Sequence, residues 1–144
     1  MKYTLLALLL LASTVQAAIP ASAIRTTDKT DICTTKTSTI RDVPESVKKQ
    51  VYKNAGITYG DRKLCSLGYE VDHRISLELG GTNDISNLQL QAYCTKAQLP
   101  INFPKSVLYD ARAKDQAENK ANKEICSGAV APATAQQNIY NWKN

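Results

Sequence analysis

Apolar positions are spaced unevenly along this chain, and the spacing divides it into segments. Leu5 to Leu11 is an unbroken apolar run behind the positive Lys2, and Val15-Gln16-Ala17 fits a small-x-small cleavage pattern. This predicts an export signal over residues 1–17, with a second candidate cut after Ala21-Ser22-Ala23. The run is shorter than the roughly 20 residues a membrane span needs, and no later segment could span. Residues 18–30 show no apolar period and are expected to be a loose lead-in to one domain over 31–144.

Within that domain the pattern alternates between periods. Ile32 to Ile40 is rich in threonine and predicts a short strand ending in Ser38-Thr39-Ile40-Arg41. Val47 and Val51, with Tyr52 beside them, predict a helix with Asp42 or Val43 at its cap, Pro44 in its first turn and Gly56 at its end. Lys48, Lys49 and Lys53 fall on its outer face, a solvated surface or a phosphate-tracking one. Tyr69 to Arg74 alternates like a strand, Ser76 to Asp84 reads as a broad turn around Gly80-Gly81, and Asn87 to Gln91 is the return strand. Ala92 to Pro104, with two prolines, is expected to be loop. From Lys105 or Ser106 to Ile125 runs the longest helix, with Val107, Ala111, Ala117, Ala121 and Ile125 as a buried stripe and Ser127-Gly128 as its stop. Pro132 to Trp142 reads as a last helix, with Ala135, Ile139 and Trp142 inward. The fold class is α+β.

Export changes how the four cysteines are read. An even count in an exported small protein predicts two disulfides. No C-x-x-C pair favours zinc. Three pairings exist, and the hairpin favours one: Cys65 precedes its first strand and Cys94 follows its second, so the antiparallel ends bring them together. Cys33 is then left with Cys126. The formal charge of +5 suits a polyanionic partner.

Candidate chemistry centres on His73, the only histidine, with Asp72 directly before it. Phosphodiester hydrolysis needs a group that accepts a proton from water near neutral pH, and positive charge to stabilise the phosphorane and the leaving oxygen. An imidazole and a carboxylate that holds a divalent cation supply these. Neighbours on a regular strand point to opposite faces, so an irregular strand end is expected here. Arg74 and Lys114 could bind phosphate.

The sequence Asp72-His73, then Gly80-Gly81-x-Asn83-Asp84, then Asn87-Leu88-Gln89, followed later by a helix, resembles the HNH branch of the His-Me finger nucleases. Ile32-Cys33 through Arg41, the run Ala111-x-x-Lys114-Asp115-x-x-Glu118-Asn119, Ile125-Cys126-Ser127-Gly128, and Ala135-Gln136 to Asn141-Trp142 extend the likeness to small bacterial and phage proteins of this kind. The resemblance implies a ββα-metal finger that cuts nucleic acid, DNA more than RNA, and the export signal predicts that it acts in the periplasm or is secreted. His73 matches the general base and Asp72 a metal ligand. Asn87, fourteen residues after His73, matches the residue that ties the loop and orients the base. The family's third His or Asn, on the helix, is missing here. Asp110 stands where related sequences often have Asn, Asp115 is its close competitor, and Glu118 is a further candidate. An all-oxygen set of this kind favours Mg²⁺ or Mn²⁺. The missing third residue also supports a rival reading, a secreted nucleic-acid-binding module without catalysis on the same scaffold.

Overall fold

The computed structural model describes residues 16–142. The expected export signal lies outside the described residues except for its last two positions. Among the described residues are four α-helices and one two-stranded antiparallel sheet: α1 (Lys29–Thr34), α2 (Glu45–Asn54), β1 (Tyr69–His73), β2 (Leu88–Ala92), α3 (Ala111–Ser127) and α4 (Pro132–Tyr140). The α+β expectation holds at this level. No described helix is long and apolar enough to cross a membrane.

The hairpin forms where the alternation placed it. Tyr69 pairs with Ala92 and His73 with Leu88, in unbroken register. The turn between the strands is built on glycine for steric reasons. Gly80 has φ +85°, and a Cβ on Gly81 would run into the Ile75 carbonyl oxygen and the Asn87 side-chain amide. Gly81→Ala is therefore expected to cost roughly 1–3 kcal/mol, read as a lower urea midpoint at unchanged slope.

Two apolar clusters flank the sheet. Leu88 and Leu90 pack with Val51, Tyr52, Ile57 and Val107, so α2 covers one side of the hairpin. Ile75 and Leu79, from the turn, pack with Ile32, Ala121, Ile125, Ala135 and Ile139, which joins α1, α3 and α4 into a second core. Both disulfides form as the hairpin geometry favoured: Cys65–Cys94 clamps the open end of the hairpin with Cα atoms 5.8 Å apart, and Cys33–Cys126 joins α1 to α3 at 5.7 Å. Links of this kind typically contribute about 2–4 kcal/mol each.

Three segments differ from the sequence expectation. The threonine-rich stretch from Ile32 to Ile40 is not a strand. It is the end of α1 and a 3₁₀ turn over Thr37–Thr39. Asp28 caps α1 by accepting from the Asp31 amide at 2.8 Å, and the Thr34 and Thr39 hydroxyls bond backwards to carbonyls within their own turns. Ile32 is drawn into the α3 side of the core and Cys33 is tied to Cys126 of α3, which overrides β propensity.

The long helix starts at Ala111 rather than Lys105. Leu108 accepts from the Ala92 amide at 2.8 Å and donates to the Leu90 carbonyl at 3.3 Å, while the Asp110 amide bonds to Cys94. These backbone groups are used alongside β2 and are not free to begin a helix. Asp110, at φ 55°, then turns the chain into α3.

The segment expected to be a loose lead-in is packed. Ala23 is fully buried, Ile24 bridges to Gly81, and Arg25 donates to the Gly80 carbonyl at 2.7 Å. The buried Gln136 of α4 fastens this segment, donating to the carbonyls of Thr26 and Leu79 at 2.7 Å each. Nor does Asp42 cap α2: Pro44 stands at the N-cap, with no side-chain cap bond.

Candidate active site

The end of β1, the turn after it and the first half of α3 enclose a cleft of about 350 Å³. Asp72 and His73 both line it, joined by Glu70 on β1, Glu78 in the turn, Asp115 and Glu118 on α3, and Arg41. Strand alternation does not separate Asp72 from His73, because the cleft sits at the strand's last residue and α3 closes over it.

The His73 ring is held by Asn83. Asn83 donates through Nδ2 to the Ile40 carbonyl at 2.7 Å, and its Oδ1 lies 3.0 Å from His73 Nε2. A carbonyl oxygen only accepts, so the Ile40 bond fixes which way the amide faces. Oδ1 then faces the ring and requires Nε2 to carry the proton. The neutral ring has its lone pair on Nδ1, for which no hydrogen-bond partner occurs among the described residues. Burial lowers the His73 pKa below its ordinary value, against the opposing pull of Asn83 and Asp72, so the ring is neutral at pH 7.

Asn87 makes the first of its two expected contributions, tying the loop, and not the second, orienting the base. It is fully buried under the turn, where its Oδ1 accepts from the Ile75 amide at 2.9 Å. Its Nδ2 donates to Ile75 O and Thr82 O at 2.9 and 2.8 Å. It ties the loop and leaves the ring to Asn83. Asn83 occupies the Gly-Gly-x-Asn position, where a turn former needs no further explanation. Its only other signal is its place ten residues after the lone histidine.

Lys114 is the main departure. Read from the sequence as a phosphate-binding cation, it is 1 % exposed. Its ammonium donates to Asp72 Oδ2 at 2.6 Å, to the His73 carbonyl at 2.8 Å, and to Glu118 Oε1 in a short contact. All three N–H donors are used, and none is left for a phosphate. Burial opposes the charge, but Asp72 and Glu118 more than restore it, so the Lys114 pKa lies above the ordinary lysine value.

The other acids of the cleft hold their protons more tightly than usual. Burial pushes Glu118 up to about 8, with Lys114 opposing. Burial also raises Glu78 and Asp115, with Asp115 repelling the first and Asp72 the second. Glu70 is raised by burial although Tyr93 donates to it at 2.7 Å, and Tyr93 itself is pushed up to about 12. Glu70 stands two residues before Asp72, which period 2 puts on the same face, a signal readable from the sequence. Glu78 is brought in by the fold: Asn122 of α3 donates to its carbonyl at 2.7 Å.

The expected oxygen ligands are only partly brought together. Asp72 and Asp115 line the cleft, with Glu118 beside them, while Asp110 does not. Hard carboxylate oxygens would suit Mg²⁺ or Mn²⁺, but the position between Asp72 and Glu118 is held by the Lys114 ammonium. No three His, Cys, Asp or Glu side chains among the described residues are grouped to hold a metal ion. In this arrangement the donor set does not fit a divalent cation. Arg74, the other expected phosphate ligand, turns away from the cleft and lies over the Tyr140 ring, 5.3 Å from its centroid.

No family model, curated protein or solved structure matches this chain.

Proposed function

We propose that the cleft hydrolyses phosphodiester bonds of nucleic acid, with His73 Nδ1 accepting the proton of the attacking water. The observation that carries this reading is the locked tautomer. Asn83 holds Nε2–H, burial keeps the ring neutral at pH 7, and the basic nitrogen is left without a protein partner. The likeness to HNH nucleases at Asp72-His73 and the glycine turn supports the same assignment, and with it a ββα-type finger made by β1, β2 and α3. Two disulfides suit an oxidising compartment, periplasmic or extracellular.

In this reading Asp72 is a positioning residue. It anchors Lys114, whose third bond, to the His73 carbonyl, fixes the backbone that carries the ring. Arg41 is the cation lining the cleft with a side chain open to solvent, and it is the group available to meet phosphate oxygens. The raised carboxyl pKa values of Glu70, Glu78, Asp115 and Glu118 lessen the repulsion these acids would otherwise present to an anion.

One observation favours the second reading, a nucleic-acid-binding module without catalysis. The ammonium of Lys114 fills the place where a metal ion was expected.

Nicking of supercoiled plasmid and cleavage of RNA by oxidised protein, with Mg²⁺, with Mn²⁺ and in EDTA, tests both. Cleavage under any of these conditions supports hydrolysis, and cleavage that persists in EDTA shows that no chelatable metal ion is needed. Salt-sensitive retention of DNA with no cut product under all three conditions would leave only the binding module.

A further inference from the structure

A second and larger cavity, of about 760 Å³, lies beside the cleft. It is walled by the segment from Lys96 to Tyr109, by Gln89 of β2 and by the end of α4. Its volume falls in the range that takes a drug-sized ligand. Two features join it to the cleft. Arg74, on its wall, directly follows His73, and Gln89 is the cross-strand partner of Asp72.

The chemistry of the wall is one-sided. Arg74, Lys96 and Lys105 supply positive charge, and no Asp or Glu lines the cavity. Phe103, Tyr140 and Trp142 supply aromatic surface. The cavity therefore offers cations around flat rings. A complementary occupant is anionic and aromatic. Nucleotides of a single strand meet both conditions, since bases stack on rings while phosphates follow the cations. A duplex keeps its bases stacked inside and offers only its backbone. An apolar peptide would leave all three cations unanswered.

We propose that this groove binds single-stranded nucleic acid next to the bond to be cut, stacking bases on Phe103, Tyr140 and Trp142 with phosphates on Arg74, Lys96 and Lys105. The proposal rests on the phosphodiesterase reading for its biological sense, but its test does not.

Trp142 is the only tryptophan of the chain, so its fluorescence reports on the groove directly. The experiment titrates full-length oxidised His73→Ala protein with an eight-residue oligothymidylate, with the corresponding duplex and with inorganic phosphate. The oligothymidylate is expected to change the Trp142 emission saturably and to weaken as salt rises. Affinity should drop on the order of tenfold in the Lys96→Glu/Lys105→Glu variant, whose exposed side chains are not needed for folding, and similarly in Phe103→Ala. The duplex should bind more weakly at the same salt. No emission change, equal affinity for duplex and single strand, or equal affinity in the charge-reversed variant would each overturn the proposal. A response to phosphate equal to that of the oligonucleotide would do the same. If the parent protein still nicks plasmid in that case, the groove is wrong and the hydrolytic reading stands. If binding occurs and nicking does not, the groove stands and the hydrolytic reading falls.

Discussion

His73→Ala is expected to lower the rate of phosphodiester cleavage by about 10²–10⁴-fold, the usual contribution of a positioned general base. Far-UV circular dichroism should be unchanged, since the hairpin register and the Asn87 ties do not involve the imidazole. Asn83→Ala should give a smaller loss, because the ring remains but its tautomer is released. The pH profile distinguishes this role from a structural one. Burial holds the His73 pKa below its ordinary value of 6.5, so the ring takes up a proton only below that pH. Activity should fall on the acid side with a midpoint under 6.5, and Asn83→Ala should move that midpoint. A His73→Ala protein that cuts like the parent removes the imidazole from the reaction.

Lys114→Met is expected to carry the largest cost in stability, about 3–5 kcal/mol, which is typical of breaking a buried ion pair from one side. The variant leaves Asp72 and Glu118 without their shared partner and the His73 carbonyl without a donor. Equilibrium urea unfolding of oxidised protein measures it. The triple variant Lys114→Met/Asp72→Asn/Glu118→Gln should recover most of the loss, because no uncompensated charge then remains buried. That recovery would make the effects strongly non-additive, as expected for residues acting as one unit. If Lys114→Met costs less than about 1 kcal/mol, the three bonds of the ammonium are not made in solution.

These two residues also show how far sequence reasoning reaches. His73 could be singled out because it is the lone histidine, follows an aspartate and precedes a glycine turn. Lys114 and Glu118 were visible as charges four apart on one helix, and such charges ordinarily lie on a solvated face. Nothing local indicates that this face turns inward over the hairpin. That depends on where α3 begins, and α3 begins six residues later than Lys105, because Leu108 and Asp110 spend their backbone bonds on the β2 side. The shorter helix buries Lys114 and Glu118 together with Ala111, Ala121 and Ile125.

By itself the sequence determined the features that follow from short-range rules. These are the α+β class, the hairpin with its glycine turn, the helix stop at Gly128, the acid beside the histidine and, through the hairpin, the pairing of the cysteines. Each depends on periodicity or on residues that only one backbone geometry accepts. The tertiary structure decided the partners. It put Asn83 rather than Asn87 on the ring, a lysine where a cation ligand set was expected, Asp110 outside the cleft, and residues 18–30 against the turn. Such contacts join positions tens of residues apart, and their energies come from burial and from buried charges sharing one site, quantities that no window of the chain contains.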